Sequence, residues 1–448
     1  MCSVPAASDH RRQMLGRTSL PLAAWTQRSL LLPATVRPRA VETSGPYAMP
    51  AAVGRRQGAA FWTVAFAFLV VMAFATLPSP LYGLYRTRDD LSTLTVTVVY
   101  AVFACGAIAA LLGEPTVVAR IGRRRTMLAA VATMMLAAAV IAVWKALPGL
   151  LVGRVITGVS VGLAAGTATT YLVELRLRDD PNSSVVGART IGTSVNIGAL
   201  GAGPLVAGVL AEWTSMPLTL PYVLFIGLGA LALVGLAAAP ETGTPNPHAK
   251  ASLAVAGIPG TAAAATIAAF SATGLFAGLS GIFLATTFDR PSHALAGATL
   301  FLVFSSGVVS QLATGKIRAS RVLALGVTSM LAGLVLLVTT VRLSTPSLVL
   351  FLAGGALIGA GAGLVFKGTT GIVLEAAAPE ERVAMTSTLI ISALVGLSIP
   401  VVGAGIALSQ GASAANTVLG FGTAVALGVA LAGWALVRRR ASGHRGEA

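Results

Sequence analysis

The chain has 448 residues, of which 55% are hydrophobic and only 10% charged, and its formal net charge is +16. A soluble chain of this length could not bury so large an apolar fraction, so the composition excludes an ordinary soluble protein. A nucleic-acid-binding protein would gather its basic residues on one face of a polar domain. Here apolar stretches of about 20 residues, the length that crosses a bilayer, separate the basic clusters. The pattern indicates an integral membrane protein with no nucleic-acid partner.

Residues 1–58 contain eight basic and two acidic residues and no apolar run long enough to cross a membrane. They predict a basic, disordered cytoplasmic tail. The pair Arg11 and Arg12 superficially suggests a twin-arginine signal, but Asp9 precedes it and polar residues interrupt the apolar part, so a plain leader is favoured. Met49, close before the first apolar run, is an alternative start of the natural protein.

Twelve apolar stretches follow, each long enough to span a membrane. They lie at residues 59–85, 93–113, 126–145, 147–172, 187–211, 219–239, 259–288, 293–313, 321–341, 346–372, 384–408 and 415–437. Each is expected to be a helix, because an open strand or loop would leave backbone groups unpaired in lipid and the runs are too uniformly apolar for barrel strands. The predicted fold class is all-α integral membrane, with twelve transmembrane helices.

The distribution of basic residues predicts the orientation, because cytoplasmic loops are enriched in Lys and Arg. With the N-terminus inside, the inside loops and the C-terminus carry sixteen basic residues beyond residue 58, and the outside loops carry five. Both termini are therefore expected in the cytoplasm of a plasma-membrane protein. The arginines of "VVARIGRRRTM", residues 117–127, would lie in a short inside loop and meet anionic lipid headgroups. Alanine-rich helices and a preference for Arg over Lys indicate a bacterial source.

An internal repeat relates the fourth and tenth stretches. Residues 151–175 align with residues 352–376 at a constant offset of 201, and seven of the 25 positions are identical. The identities include Glu174 and Glu375, both at predicted cytoplasmic helix ends. Duplication predicts two pseudo-symmetric six-helix bundles. The predicted boundaries are 1–58 for the tail, 59–240 for the first bundle, 241–258 for a cytoplasmic linker, 259–437 for the second bundle and 438–448 for a basic tail.

Glycines recur every four residues in both repeats, at positions 158, 162 and 166 and again at 355, 359 and 363. A smooth glycine stripe lets two helices pack closely, which is the favoured interpretation. A role in lining a substrate path is the alternative.

The six-plus-six arrangement and the basic segment after the second helix resemble the major facilitator superfamily, across residues 59–437. That family's loop motif, G-x-L-a-D-x-x-G-R-R/K, falls on residues 115–124. The matching positions, with one further arginine, are Gly122, Arg123, Arg124 and Arg125. Pro115 and Ala119 depart from the expected Gly and Asp. In the family, the Asp at that position helps to latch the cytoplasmic side. Glu114 is the nearest carboxylate that could replace it here, although it lies five residues upstream.

Two further motifs are similar to those of the proton-linked drug antiporters of that superfamily. Arg154 matches their single arginine in the fourth helix, and Gly203, Pro204 and Gly208 match the fifth-helix pattern G-x-x-x-G-P-x-x-G-G in part. The resemblance implies a monomeric secondary transporter that exports a small amphipathic molecule in exchange for protons, through alternating inward-facing and outward-facing states. Uptake or facilitated diffusion of a metabolite such as a sugar or organic acid is the alternative.

Four polar side chains inside the predicted spans are candidates for the coupling or substrate path: Arg154, Asn196, Gln311 and Lys367. A charge inside a span is costly, so Arg154 is favoured as functional, with snorkelling to headgroups as its alternative. Lys367 could serve either purpose. Asn196 and Gln311 could bond a substrate, but hydrogen bonds between helices are favoured for both.

The sequence contains no recognisable pattern of catalytic or metal-binding residues. The four histidines are scattered through tails and loops, so neither a metal site nor a cofactor is expected, and a membrane-embedded enzyme or receptor is the remote alternative. Every Asp and Glu lies in a tail, in a loop or near a span end, with Glu114, Glu174 and Glu375 nearest the membrane. Proton-coupled carriers usually need a carboxylate inside the membrane, so the coupling rests on the resemblance alone.

Overall fold

A computed structural model describes residues 51–180, 184–249, 253, 255–378 and 380–443. Met49, most of the predicted N-terminal tail and residues 444–448 lie outside the described residues. The first helix begins at Ala51, so residues 51–58 of the predicted tail form its first two turns. The predicted C-terminal tail likewise begins as helix, because the last helix continues to Gly443.

The described residues form fourteen α-helices and one short 3-10 helix, η1, at Ser79–Leu81. The first half of the chain contains α1 (Ala51–Thr76), α2 (Tyr82–Asp89), α3 (Thr93–Ala101), α4 (Phe103–Ile121), α5 (Arg123–Val143), α6 (Leu147–Asp179), α7 (Val185–Trp213) and α8 (Leu220–Ala238). The second half contains α9 (Gly260–Thr287), α10 (His293–Ala313), α11 (Ala319–Arg342), α12 (Leu348–Glu375), α13 (Arg382–Ser409) and α14 (Ala414–Gly443).

Twelve spans in the described part of the chain are long and apolar enough to cross a membrane, six in each half. The predicted all-α fold with twelve transmembrane helices is therefore confirmed. The first half packs around α1 and α6, and the second half packs around α9 and α12. We call the end of the molecule where α4 meets α5 and α8 leads to the linker the linker end, and the opposite end the far end.

The second and third spans are joined differently from the prediction, which was wrong about a loop at residues 114–125. Helix α4 continues to Ile121 and α5 begins at Arg123, so Gly122 alone separates them. Gly122 adopts a φ of +88°, which a glycine tolerates and which ends one helix and starts the next. Hydropathy falls at the first arginine, but a helix can extend beyond the membrane for as long as its backbone bonds continue.

Two spans are interrupted near the far end. Both interruptions leave main-chain carbonyls without a partner in their own helix. Helix α1 ends at Thr76, just before Pro78 and Pro80, whose nitrogens cannot donate a hydrogen bond. Between α3 and α4, Val102 breaks the helical ladder. The last four carbonyls of a helix have no partner within it, so groups from other helices can bond them.

The glycine stripes allow close helix packing in both halves, as the sequence predicted. Four of the glycines, at positions 158, 162, 359 and 363, face helix backbones, and those at 166 and 355 face side chains. A Cβ atom at Gly158 would overlap the carbonyl oxygen of Phe103, and one at Gly162 would overlap that of Ala107. At the repeat-related positions, a Cβ at Gly359 would overlap the carbonyl of Val303. Helix α6 therefore meets α4 much as α12 meets α10, which is the geometry that internal duplication requires.

The two halves meet mainly through α7 and α10 and through α3 and α13. A Cβ at Gly208 would overlap the carbonyl oxygen of His293, and one at Gly297 would overlap that of Pro204. Gly203 instead packs against Ala73 of α1. The fifth-helix motif thus lies where α7 contacts both its own half and the other half. Close packing of helices alone accounts for the glycines of this motif.

Candidate substrate cavity

A cavity lies between the two halves, with about 820 Å³ of empty space, part of it open to solvent. Its wall takes residues from both halves. The lining residues are Met72, Ala75, Thr76, Tyr100, Phe103, Ala107, Leu111, Val161, Gly162, Ala165, Asn196, Ile197, Leu200, Phe270, Phe304, Phe366, Ile390, Ala393, Leu394 and Leu397. A site shared between two bundles can change its access when they move against each other.

The lining is apolar and rich in aromatic rings. Its five aromatic side chains are Tyr100, Phe103, Phe270, Phe304 and Phe366. Phe270 and Phe366 form an edge-to-face pair with ring centroids 5.6 Å apart, so two elements of the second half present a joint aromatic surface. None of the lining residues is charged. Such a wall binds a ligand chiefly by removing its apolar surface from water.

Asn196 offers a side-chain amide to the cavity. Its side chain has no hydrogen-bond partner within the described part of the chain, although it lines the cavity. The neighbouring hydroxyl of Thr76 is already used, because it donates to the carbonyl oxygen of Leu200 at 2.6 Å. Of the four polar residues predicted for the substrate path, Asn196 is the one that lines this cavity.

Arg154 lies behind the cavity wall and is fully buried, with 0% of its surface exposed. Its Nη1 donates to the carbonyl oxygen of Ala75 at 2.6 Å, and its Nη2 donates to that of Tyr100 at 3.3 Å. Its guanidinium carbon stands 4.7 Å from the centroid of the Phe103 ring. These contacts exclude snorkelling to headgroups. Arg154 joins α6 to the interrupted ends of α1 and α3, and its three contacts all line the cavity.

Gln311 and Lys367 lie together in the second half, away from the cavity lining. The amide nitrogen of Gln311 donates to the carbonyl oxygen of Gly363 at 3.0 Å. The ammonium of Lys367 donates to the carbonyl oxygen of Gln311 at 2.5 Å and to the hydroxyl of Thr314 at 3.2 Å. A cation that bonds the last carbonyls of α10 stabilises the negative end of that helix. Their contacts are structural.

The motif arginines at the linker end belong to a cluster that the sequence predicted only in part. The carboxylate of Glu241 accepts from the backbone nitrogens of Arg123 at 2.8 Å and Arg124 at 3.1 Å, the first two residues of α5. The side chain of Arg123 donates to Glu174 at 2.6 Å, and the hydroxyl of Thr242 donates to the same oxygen. Glu241 thus places a carboxylate at this junction, where the sequence has Ala119 instead of Asp.

Glu241 was missed because its neighbours in the sequence give no sign of its partner. It follows α8 in the stretch "PETGTPNP", which appeared only as a break between the two halves. The carboxylate reaches α5 because α8 ends beside it, and only the packing of α5 against α8 reveals this. Arg125 is exposed at the same end, and Glu375, the repeat-related residue of Glu174, ends α12.

Glu114 is buried inside α4, with 7% of its surface exposed. The hydroxyl of Thr167 in α6 donates to its Oε1 at 2.6 Å. Gly166 leaves room for it, since a Cβ there would lie 2.6 Å from the Glu114 carboxyl carbon. Leu111, one turn earlier in α4, lines the cavity. Glu114 is therefore a buried carboxylate close to the cavity, and it does not join the Glu241 cluster in place of the missing Asp.

We expect Glu241→Ala to lower the free energy of unfolding by about 1–2 kcal/mol, because α5 loses an N-terminal carboxylate that satisfies two backbone donors. Glu241→Gln should lose less, since an acceptor remains. Thermal unfolding of the purified protein measures the change. Glu381→Ala is the matched control, because Glu381 precedes α13 without a side-chain cap bond. Equal losses in the Glu241 and Glu381 variants would contradict the capping role.

Comparisons with known proteins agree with this architecture. A family model described as "Sugar (and other) transporter" matches residues 66–242. The crystal structure of the nucleoside transporter NupG superposes with a TM-score of 0.65 at 11% identity, covering 85% of this chain and 98% of that chain. The human organic anion transporter MFSD10 (TETRAN) superposes with a TM-score of 0.60 at 15% identity, covering 85% and 99%. No curated protein sequence matches the chain. The structural likenesses show the fold, which is that of the major facilitator transporters.

Proposed function

From the major facilitator fold, we propose that this protein is a secondary transporter that carries a small molecule across the membrane by alternating access. The observation that carries the proposal is the cavity shared by the two halves, to which residues 72–200 contribute one wall and residues 270–397 the other. Binding in such a cavity couples to the relative movement of the two halves. The transporters with the same fold and the family model over residues 66–242 support the class.

The finer proposal is export of a small amphipathic molecule against proton entry. The apolar, aromatic wall supports an amphipathic substrate, because a site without charges and with few free polar groups gains most by burying apolar surface. A polyhydroxylated sugar would leave many hydroxyls without partners in this wall, which costs free energy. Uptake of a metabolite remains the second candidate, since the matching family model is that of sugar and other transporters.

The proton step is assigned to Glu114 within this proposal. Glu114 is buried beside the cavity, and the hydroxyl of Thr167 that donates to it is neutral. A carboxylate inside a span is a functional candidate because burying it is costly. Arg154, which carries the family resemblance, supplies a fixed positive charge and no exchangeable proton at physiological pH. We place the protein in the plasma membrane as a monomer, with both termini cytoplasmic and the basic linker end against anionic headgroups.

The test is accumulation of a panel of amphipathic dyes and antibiotics in cells that lack their own efflux pumps, with and without the protein. Export lowers accumulation, and collapse of the proton gradient abolishes that difference. Glu114→Gln should keep binding but lose the response to the gradient. Unchanged accumulation of every compound, with the protein shown to be in the membrane, would move the assignment to metabolite uptake.

A latch at the far end supports the alternating cycle. The carboxylate of Glu212 in α7 accepts from the backbone nitrogens of His293 at 2.7 Å and Ala294 at 3.3 Å, and from the hydroxyl of Ser292. These three residues begin α10, so a carboxylate of the first half stabilises a helix N-terminus of the second. Opening the cavity toward the far end would break these bonds.

We expect Glu212→Ala to raise the population open at the far end by about tenfold, because charge-assisted hydrogen bonds between the halves are lost. Distances between spin labels at Met216 and Arg290, on either side of the latch, report this as a second and longer distance. Asp89→Ala is the matched control, because Asp89 pairs with its neighbour Arg88 at 2.6 Å within the same half. Identical distance distributions for both variants would exclude the latch.

A further inference from the structure

We infer that the cavity selects its substrate by charge, taking an organic anion with a flat aromatic body and rejecting an organic cation of the same shape. The inference rests on the proposed function and names the substrate class of the same cavity. It depends on one residue, Arg154, and on the wall that separates its guanidinium from the empty space.

The positive charge of Arg154 is permanent, because an arginine does not lose its proton in proteins. Its surface is 0% exposed, so water does not screen the charge. A buried charge in a protein is ordinarily paired with an opposite charge, since desolvation is otherwise costly. An unpaired buried charge therefore favours the binding of a ligand with the opposite charge.

Arg154 has no carboxylate partner among the residues that the structure describes. Both ion pairs recorded there involve other arginines, Arg88 and Arg123. The hydrogen bonds of Arg154 go to two neutral main-chain carbonyls, and its Nε has no hydrogen-bond partner in the described part of the chain. Carbonyl dipoles disperse the charge but leave its sign, so the surroundings of Arg154 keep a net positive charge.

That charge lies behind a single layer of cavity-lining residues. The three residues in contact with the guanidinium, Ala75, Tyr100 and Phe103, all line the empty space. The lining itself has no charged residue. In an apolar environment a charge acts over a longer distance than in water, because the effective dielectric constant is low. Arg154 therefore sets the sign of the electrostatic potential that a bound molecule experiences.

The aromatic rings of the wall do not reverse this preference. A cation can be attracted to a ring face, but the Phe103 ring already stands over the guanidinium of Arg154. The remaining rings carry quadrupoles only, which fall off more steeply with distance than a full charge does. They suit the flat apolar body of the ligand, and Asn196 offers its amide to a polar group on it. The fitting ligand is an aromatic monoanion.

The charge of the substrate also bears on the energy source. In an inside-negative membrane the potential drives an anion outward, and exchange of that anion for an entering proton moves charge in the same direction. The membrane potential then favours both the exit of the anion and the entry of the proton, so it favours export.

The experiment measures binding of three matched probes to the purified protein by titration calorimetry: 2-naphthoate, 2-naphthamide and 2-naphthylmethylammonium. We expect the anion to bind at least tenfold more tightly than the cation, with the amide between them. Arg154→Gln should reduce the anion-to-cation ratio to about two or less, and Arg154→Lys should retain most of it. Lys367→Met is the matched control, because Lys367 is a half-buried cation outside the lining, and it should leave the ratio unchanged.

A cation that binds as tightly as the anion, or a ratio that Arg154→Gln leaves unchanged, overturns the inference. If Arg154→Gln does not fold, the salt dependence of the wild-type ratio decides. A buried charge keeps the ratio at 0.5 M salt, whereas attraction to surface arginines would be screened and would also overturn the inference. Failure of all three probes to bind counts against the proposed substrate cavity itself, while binding without a preference for either sign overturns only the charge selection.

Discussion

Ala165→Phe is expected to abolish transport, with a loss of at least tenfold, while the protein remains folded and in the membrane. Ala165 lines the cavity from α6 and is half-buried, so a benzyl group there occupies the space in which a substrate would bind. Ala393→Phe approaches the cavity from α13 of the other half and should have the same effect. Transport of a fluorescent amphipathic substrate in cells and thermal unfolding of the purified variants measure the two properties separately.

Ala132→Phe is the matched control for cavity filling. Ala132 lies on an exposed face of α5, where an added ring meets lipid instead of the cavity. Transport by this variant should equal that of the wild type. Full activity of Ala165→Phe and Ala393→Phe would show that the substrate passes elsewhere and would remove the cavity from the proposal.

Gly158→Ala is expected to lower the free energy of unfolding by about 3 kcal/mol, because the new methyl group meets a helix backbone that cannot rotate away. Its Cβ would overlap the carbonyl oxygen of Phe103 and lie 2.6 Å from the backbone nitrogen of Ala107. Gly359→Ala should cost a similar amount, because it meets the carbonyl of Val303 in the second half. Thermal unfolding in detergent measures both.

Gly113→Ala separates packing from the general preference of helices for alanine. Gly113 also lies inside a helix, α4, but a Cβ there has no atom within 4 Å. The substitution should raise stability by about 0.5–1 kcal/mol, since alanine loses less conformational entropy than glycine. A Gly158→Ala variant as stable as Gly113→Ala would mean that α4 and α6 are not in backbone contact.

The fold could be predicted from the sequence because lipid imposes a simple rule. A run of about 20 apolar residues must form its own backbone hydrogen bonds, so the number and type of spans follow from hydropathy. The ends of the helices do not follow in this way. Helix α6 continues to Asp179 and α4 to Ile121, several residues into polar sequence. Backbone hydrogen bonding and caps set those ends, and hydropathy does not detect them.

The candidate site was predictable only where a residue was unusual in its setting. Asn196 and Arg154 are conspicuous because polar groups are rare in spans, and both lie at the cavity, one in its wall and the other behind it. Phe270 and Phe366 are not conspicuous, because a phenylalanine suits lipid, a helix interface and a substrate cavity equally well. The partners of Gln311 and Lys367 likewise depend on packing that no local pattern reveals, because Gln311 donates to a carbonyl of α12 and Lys367 to the end of α10.

The most direct test of alternating access is chemical labelling of a cysteine in the cavity, since it needs no knowledge of the substrate. Asn196→Cys is introduced after Cys2 and Cys105 have been replaced by serine, and a membrane-impermeant maleimide is applied to sealed vesicles of each orientation. Alternating access predicts that the cysteine reacts from both sides of the membrane, and that Ala165→Phe slows the reaction from both. Reaction from one side alone over prolonged exposure, or from neither, would contradict a cavity that opens in turn to each side.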